Sequence, residues 1–271
     1  MAINLNGHHW NAASEVVRFP LFLHGAAPVQ AAYMGYPGPN GARFLHHTYV
    51  DALVAPVRRA AASFTERLAL LPHSYYLSDY AASHRALLEP ATPSADALPR
   101  STPLLCSLNQ LPKLDPPLFA TWLNALRRSL GARARTRMWL LRFPAEAEAH
   151  LRREAAAHAG PVTRRSLIML DTAPYAAHLR RAAQCDLFAD SLLYNAHTSA
   201  TDALWAGTPL LTLPGATQPS RVASSLLDAV GLGPLVVRSM REYEDALVSA
   251  TATPRGAHAR RCEVASTGTG P

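Results

Sequence analysis

The stretch LLCSLNQLPKLDPPLFATWLNALRRSLGARARTRMWLLRF, residues 104–143, decides the fold of this chain. Its first apolar run, 104–108, predicts a buried strand, and 137–143 predicts a second one. Between them, Asp115 followed by a proline is typical of a helix start, and Gly131 marks the end of that helix. Apolar side chains recur every four residues along the helix, at Leu118, Trp122, Leu126 and Leu130.

The same alternation continues to residue 250. Strands are predicted over 166–170, 186–189, 210–213 and 235–237, and helices over 145–159, 175–183, 198–206, 220–230 and 242–250. Short strands that alternate with helices at this spacing predict an α/β fold with doubly wound parallel sheets.

The first part of the chain is less regular. It predicts strands over 27–34 and 48–54 and a helix over 55–70. Prolines with Ser, Thr and Ala predict a linker over 83–103, and the small polar tail is expected to be disordered. The predicted division is a first lobe at 1–82, the linker at 83–103, a second lobe at 104–250 and the tail at 251–271.

Composition favours a soluble intracellular protein. Of the 271 residues, 49% are hydrophobic and 17% are charged, which allows a sizeable core. All apolar stretches are far shorter than the roughly 20 residues that a membrane-spanning helix needs. The N-terminus lacks the layout of a signal peptide. A location in the cytoplasm or the nucleus is therefore expected.

The basic charge does not by itself indicate nucleic-acid binding. The net charge is +7, but the arginines are scattered through the chain and are not interleaved with aromatic residues. Of the 26 basic residues only Lys113 is a lysine. A single lysine among arginines suggests a site that needs a compact ammonium group.

Cysteine and histidine usage points away from metal. Cys106, Cys185 and Cys262 are odd in number and widely spaced, so unpaired thiols in a reducing compartment are expected. His8–His9 and His46–His47 are adjacent pairs, which cannot both face one metal from a regular element. HExxH and clustered acids are missing from the sequence, and a metal site is not expected.

Three segments follow predicted strands, where a doubly wound sheet binds its ligands. They are 107–113, 171–178 and 194–202. In the third, a helix N-terminus with His197, Thr198 and Ser199 favours a phosphate, and Asp202 one turn on favours a ribose hydroxyl. Thr198 as a plain N-cap and Asp202 as an ordinary first-turn acid stay open on the pattern alone. On the pattern alone, Lys113 is more often a surface lysine, and His178 is more often a helix-face histidine.

Several motifs resemble the catalytic region of the protein O-GlcNAc transferases, including their SPINDLY-type plant relatives. In the second lobe these are LCSLNQLPKLDPPLFATWLNALRR, MWLLRFPAEAEAHLRREA, YNAHTSATDALWAGTPLLTLPG and EYEDAL. In the first lobe they are INLNGHH, APVQAAYMGYPGPNGARF and LPHSYYLSD. The resemblance runs from about Ile3 to Leu247 and is carried by several motifs in the same order.

The resemblance implies a GT-B-like glycosyltransferase with two Rossmann lobes. Such an enzyme moves GlcNAc from UDP-GlcNAc to serine or threonine hydroxyls of acceptor proteins, with inversion, without a metal or cofactor, and without nucleic-acid or membrane partners. Lys113 would be the catalytic residue that holds the diphosphate. The residues that would bind the nucleotide-sugar are Gln110, Lys113, Ala173, His178, Arg181, His197, Thr198, Ser199, Asp202, Gly35 and Pro37.

This chain also departs from the family pattern. Tyr175 stands where the family has a lysine, Ala196 where it has a glycine, and Pro112 where it has an aromatic residue. The motifs begin partway into the first lobe, so an incomplete N-terminal lobe is expected. A truncated or degenerate relative that binds a nucleotide without turnover is therefore an alternative. A GDP-fucose-dependent O-fucosyltransferase is another, since SPINDLY-type relatives use that donor.

Overall fold

The fold is built on two parallel sheets. A computed structural model describes residues 1–5, 19–60, 62–84, 102–131, 136–159 and 166–252. The first sheet has the order β1-β2-β3-β4, formed by Ala2–Asn4, Gln30–Tyr33, His47–Asp51 and Arg67–Leu71. The second has the order β7-β6-β5-β8-β9, where β5 to β9 are Leu104–Ser107, Arg137–Leu141, Leu167–Leu170, Leu187–Ala189 and Leu210–Leu211.

Every pair of neighbouring strands in both sheets is parallel. The second sheet grows outward from β5 through β6 to β7, and then in the other direction through β8 to β9. The strand order therefore reverses beside β5, and the predicted doubly wound α/β fold is confirmed. Ligands of such sheets bind where the order reverses.

Nine helices lie among the described residues. Helices α1 to α3 are Phe19–Leu23, Val57–Ala60 and Tyr80–Ser83, α4 to α6 are Pro116–Gly131, Ala147–Ala159 and Tyr175–Ala182, and α7 to α9 are Thr198–Trp205, Val222–Ala229 and Met240–Ala252. Short 3-10 turns cover Leu111–Lys113, Gln218–Ser220 and Gly233–Leu235.

Helix α4 begins as the sequence predicts. The Asp115 carboxylate accepts a hydrogen bond from the N–H of Leu118 at 2.9 Å, which satisfies one of the free donors of the first turn. The apolar side of α4 packs against α9 and one face of the second sheet, with Trp122 and Leu126 fully buried.

Two predicted elements are wrong. The segment 55–70 is not one helix: α2 ends at Ala60 and the last residues form β4, which pairs with β3 in register from His47↔Arg67 to Asp51↔Leu71. The segment 235–237 is not a strand beyond a single bridge between Thr212 and Val236. Both errors have one cause: pairing with a distant strand, or its absence, is not visible in a local apolar pattern.

The expectation of unpaired cysteines is also wrong. Cys106 on β5 and Cys185, just before β8, form a disulfide with their Cα atoms 6.0 Å apart. Parallel pairing of β5 with β8 brings them together across 79 residues of sequence. Cys262 lies outside the described residues. The disulfide also removes the support that the cysteine pattern gave to a reducing compartment.

One apolar core spans both sheets. Val50, Val54 and Tyr75 from the first lobe belong to the same buried cluster as Cys106 and Phe188 of the second. The predicted linker lies largely outside the described residues, and so does most of the predicted disordered tail. The lobe boundaries at 82 and 104 therefore stay predictions, although the two sheets fall on either side of them.

Candidate nucleotide-sugar site

The carboxyl ends of β5, β7 and β8 bring the three predicted segments to one edge of the second sheet. The loop after β5 is tied to the loop after β8, because the Asn109 amide donates to the Ser191 hydroxyl at 2.9 Å. The loop after β7 leads into α6, whose His178 reaches Asp202 on α7. These two hydrogen bonds, from Asn109 to Ser191 and between His178 and Asp202, bring the three segments together at the same edge of the sheet.

Lys113 is half-buried at the end of its 3-10 turn. Its Nζ donates to the carbonyl oxygen of Asn195 at 2.8 Å and lies 4.4 Å from the centre of the Tyr194 ring. Burial lowers the pKa of Lys113 to about 8, and the negative charge of Asp190 partly offsets that effect. The ammonium group is thus held beside the loop that leads into α7, and at pH 7 it is still mostly charged.

Asp190 follows β8 and is fully buried. Its carboxylate accepts from the N–H of Ala196 and from the hydroxyl of Thr212, both at 2.6 Å. Burial raises the pKa of Asp190 to about 7 despite these donors and the charge of Lys113. Asp190 therefore fixes the 190–196 loop and, when ionised, supplies a negative charge that raises the pKa of Lys113. The sequence reasoning missed it, although an acid directly after a buried strand is a signal that could have found it.

His197 is neutral and stacked. Its ring lies 4.7 Å from the Tyr194 ring, and Nε2 is 3.1 Å from the carbonyl oxygen of Pro219. A carbonyl only accepts, so Nε2 carries the proton and Nδ1 is an acceptor. Burial lowers the pKa of His197 to about 3. The expected extra donor to an anion is therefore not available from this ring in the conformation seen.

The first turn of α7 lies against both lobes. The Ser199 hydroxyl donates to the side-chain oxygen of Asn109. The Thr198 hydroxyl is 2.6 Å from the hydroxyl of Tyr76, which comes from the first lobe. The Ala200 N–H bonds to the carbonyl oxygen of His197 at 3.0 Å. The N–H groups of Thr198 and Ser199 come too early in the helix for a partner one turn back and carry a partial positive charge, so this turn can hold an anion beside Lys113.

The Asp202 carboxylate holds three other side chains of the site. Its Oδ1 accepts from the hydroxyls of Tyr80 and Tyr175, both at 2.6 Å, and its Oδ2 lies 3.2 Å from Nε2 of His178. Burial alone would raise the pKa of Asp202, but hydrogen bonds from His178, Tyr175 and Tyr80 together hold it below its ordinary value. The carboxylate is therefore ionised at neutral pH, and its oxygens hold three side chains of the chain itself.

Two further residues of the predicted nucleotide-sugar site, Arg181 and Ala173, lie on α6 and in the loop that precedes it. Arg181 on α6 donates to the carbonyl oxygen of Asp171 at 2.6 Å, and Arg142 pairs with the carboxylate of the same residue, with Nε 2.8 Å from Oδ1. Ala173 is half-buried in this loop. Gln110 is exposed beside Lys113, and its carbonyl oxygen accepts from the N–H of Lys113 at 3.1 Å.

Gly35 and Pro37 lie in the loop after β2 of the first lobe. The residue between them, Tyr36, is close enough to Tyr194 for its charge to raise the pKa of Tyr194, after burial as the main cause. Met34 at the start of this loop has φ 65°, a left-handed conformation that non-glycine residues rarely adopt. The loop therefore approaches the site through Tyr36.

Four tyrosines of the site were given no binding role by the sequence reasoning. Tyr76 and Tyr80 reach Thr198 and Asp202 from the first lobe, and Tyr194 lies under Lys113. Tyr175 entered only as a departure from the family pattern. Contacts between the lobes join residues more than 100 positions apart, and a periodic pattern in the sequence cannot predict such contacts. Within the described residues, no group of three or more His, Cys, Asp or Glu could hold a metal ion.

A family model, Glycosyl transferase family 41, matches residues 1–97 and 89–266. The chain belongs to glycosyltransferase family 41. The resemblance to protein O-GlcNAc transferases is thereby confirmed at the level of the family. Since the two matches together cover nearly the whole chain, both lobes are parts of this family's fold.

Similar proteins carry related names. The chain is 39% identical over 251 residues to the probable UDP-N-acetylglucosamine–peptide N-acetylglucosaminyltransferase SEC of Arabidopsis thaliana, covering 91% of this chain and 24% of that protein. It is 25% identical over 350 residues to the UDP-N-acetylglucosamine–peptide N-acetylglucosaminyltransferase of Caenorhabditis elegans, covering 89% and 29%. The chain thus spans about a quarter of the length of these relatives.

Solved structures confirm the fold. A mutant of the O-GlcNAc transferase of Thermobaculum terrenum superposes with a TM-score of 0.78 at 26% identity, covering 97% of this chain and 47% of that one. The trehalose-6-phosphate synthase OtsA superposes with a TM-score of 0.57 at 13% identity, which supports the fold alone. The predicted GT-B-like architecture is therefore confirmed. Within the described residues, no helix is both long and apolar enough to cross a membrane.

Proposed function

We propose that this chain carries the donor site of a glycosyltransferase that moves GlcNAc from UDP-GlcNAc to serine or threonine hydroxyls of proteins. Residues 104–250 would form the donor lobe. The observation that carries the proposal is the meeting of an ammonium group, a helix N-terminus and an ionised buried carboxylate at one sheet edge, in a member of family 41. Those three groups match a diphosphate and a ribose.

In this proposal Lys113 and the first turn of α7, with Thr198 and Ser199, bind the diphosphate. As the bond from the sugar to the diphosphate breaks, negative charge grows on the departing UDP. Fixed donors that meet this charge lower the barrier, and losing one such donor typically costs about 2.7 to 4 kcal/mol. The ammonium of Lys113 does this without a metal, and the proposed reaction inverts the anomeric centre.

The nucleoside would occupy the neighbouring side. Asp202 accepts from the ribose hydroxyls, and His178 and Arg181 lie on α6 where the uracil would sit, next to Ala173. Gln110 flanks the diphosphate, and Gly35 and Pro37 line the sugar side from the first lobe. The proposed location of the enzyme is the cytoplasm or the nucleus, with the Cys106–Cys185 disulfide as the observation against it.

A second candidate is a relative that binds the nucleotide without turnover. It is favoured by Asp202, whose oxygens already hold three side chains of the chain itself. The two candidates share the donor site and differ only in transfer, so binding is measured first and transfer afterwards.

The test is a calorimetric titration of UDP, with GDP as the control ligand, into the chain and its Lys113→Ala variant. Micromolar UDP binding that weakens at least tenfold in the variant supports the donor site. Arg127→Ala removes the same charge from an exposed position on α4 and is expected to bind like the parent. Radiolabelled transfer from UDP-GlcNAc to a protein acceptor then separates the two candidates. Preference for GDP would indicate a fucose donor, and absence of nucleotide binding to folded protein would overturn the proposal.

A further inference from the structure

Asp202 holds two hydroxyl groups of the chain itself on a single oxygen. The phenols of Tyr80 and Tyr175 both donate to Oδ1, each at 2.6 Å, while His178 lies against Oδ2. One phenol comes from α3 of the first lobe and the other from α6 of the second. Two hydroxyls converging on one carboxylate oxygen have the same chemistry as the neighbouring 2′- and 3′-hydroxyls of a ribose.

A ribose can therefore use Oδ1 only if a phenol leaves it. A carboxylate oxygen accepts about two hydrogen bonds through its two lone pairs. Both are taken on Oδ1, and Oδ2 keeps the bond to His178 with little room, since Asp202 is only 4% exposed. A nucleotide that binds through Asp202 must compete with one of the two tyrosines.

The surroundings of the two tyrosine rings indicate which hydroxyl can leave Oδ1 of Asp202. Tyr80 is 7% exposed, its ring is stacked on Trp205 with the centroids 5.6 Å apart, and its hydroxyl also lies 3.1 Å from that of Thr201. Tyr175 is 37% exposed at the start of α6, and its ring contacts His84 at 4.7 Å. Tyr175 can turn toward solvent without opening the core, whereas Tyr80 cannot.

We propose that Tyr175 determines nucleotide selectivity by competing with the ribose hydroxyls for Asp202. This inference rests on the proposed function, since it names a selectivity residue of the same site. Tyr175 lowers the affinity for every ligand that must displace it. A ligand with both ribose hydroxyls takes the place of the Tyr175 phenol on Oδ1, whereas a ligand without them leaves that phenol in place.

The test compares UDP with 2′,3′-dideoxy-UDP on the parent chain, on Tyr175→Phe and on Tyr49→Phe, by calorimetry. Phenylalanine keeps the ring against His84 and removes only the competing hydroxyl. Hydrogen bonds to charged groups and the exposure of Tyr175 predict that UDP binds Tyr175→Phe about threefold to tenfold more tightly. The dideoxy ligand is expected to bind parent and variant equally. Tyr49→Phe removes a phenol that contacts Met1 on the first sheet and is expected to bind like the parent.

Two results would overturn the inference while leaving the proposed function intact. One is UDP binding that is the same in the parent and in Tyr175→Phe. The other is an equal gain for both ligands, which would mean that the variant changes the shape of the site rather than the competition for Asp202. If neither the parent chain nor any of the variants, Lys113→Ala included, binds UDP, the inference is overturned together with the proposed function.

Discussion

Lys113 and Asp190 are a charge pair in which burial opposes the charge of each partner. Burial lowers the pKa of Lys113 to about 8 and raises that of Asp190 to about 7, while their mutual attraction works against both changes. The retained lysine could be picked out of the sequence because the other basic residues are arginines. Asp190 could not, because its role depends on burial and on the two donors that hold it.

The pH dependence of UDP binding tests the role of Lys113. Only the ammonium form attracts the diphosphate, so the affinity is expected to be highest below pH 8 and to fall as the pH rises through about 8. Calorimetric titrations between about pH 7.5 and 9.5 measure this decline, since the pKa of Lys113 lies in that interval. In Lys113→Ala the affinity is expected to be low and nearly constant there. A parent affinity that does not change across the interval would contradict the assignment.

The Asp190→Asn substitution tests the pair from the other side. Asparagine keeps the bond from Ala196 through its oxygen and can donate to Thr212 through its amide, so the loop is expected to keep its shape. The negative charge that supports the Lys113 ammonium is lost, and the pKa of Lys113 falls further. The decline in UDP affinity is therefore expected to move to lower pH. An unchanged profile in a folded variant would show that the two charges are not coupled.

At the scale of elements, the sequence predicts what is local and misses what is paired over a distance. Asp115 begins α4 as expected because an N-cap and the apolar repeat after it act within a few residues. The sequence just before β4 is rich in alanine, which favours the prediction of a helix. The strand itself forms because β3 lies beside it and pairs with it. The same limit applies at the site, where Tyr80 reaches Asp202 across 122 positions.

The disulfide between Cys106 and Cys185 gives an element-scale prediction. It ties β5 to the chain before β8 and closes a loop of 79 residues. Constraint of the unfolded chain by such a loop stabilises the fold by on the order of 4 kcal/mol. A reducing agent is therefore expected to lower the melting temperature by several degrees, measured by circular dichroism.

Alkylation provides the control for the disulfide. In denaturant without reductant, one of the three cysteines is expected to react, and after reduction all three. The melting temperature of Cys262→Ser is expected to respond to reductant as that of the parent does. Three reactive thiols without reductant would contradict the pairing.

At the scale of the whole molecule, the site depends on how firmly the lobes are held together. The Ser225 hydroxyl on α8 donates to Asp51 of the first lobe at 2.7 Å and lies 2.9 Å from the Ser74 hydroxyl. Asp51 also accepts from the N–H of Tyr75, whose side chain is 1% exposed within the core that both lobes share. The loop that carries Tyr76 and Tyr80 to the donor site thus starts from a buried anchor between the lobes.

This anchor predicts that the two sheets unfold together. Replacing a fully buried aromatic side chain by alanine typically costs about 3 to 5 kcal/mol, so Tyr75→Ala is expected to lower the stability of both lobes. Hydrogen exchange measured by mass spectrometry on β3 and on β5 reports each sheet separately. Both are expected to lose protection by a similar factor, whereas Leu77→Ala, 59% exposed two residues away, is expected to leave both unchanged. Loss of protection on β3 alone would mean that the lobes are independent, and the contacts of Tyr76 and Tyr80 with α7 would then hold only part of the time.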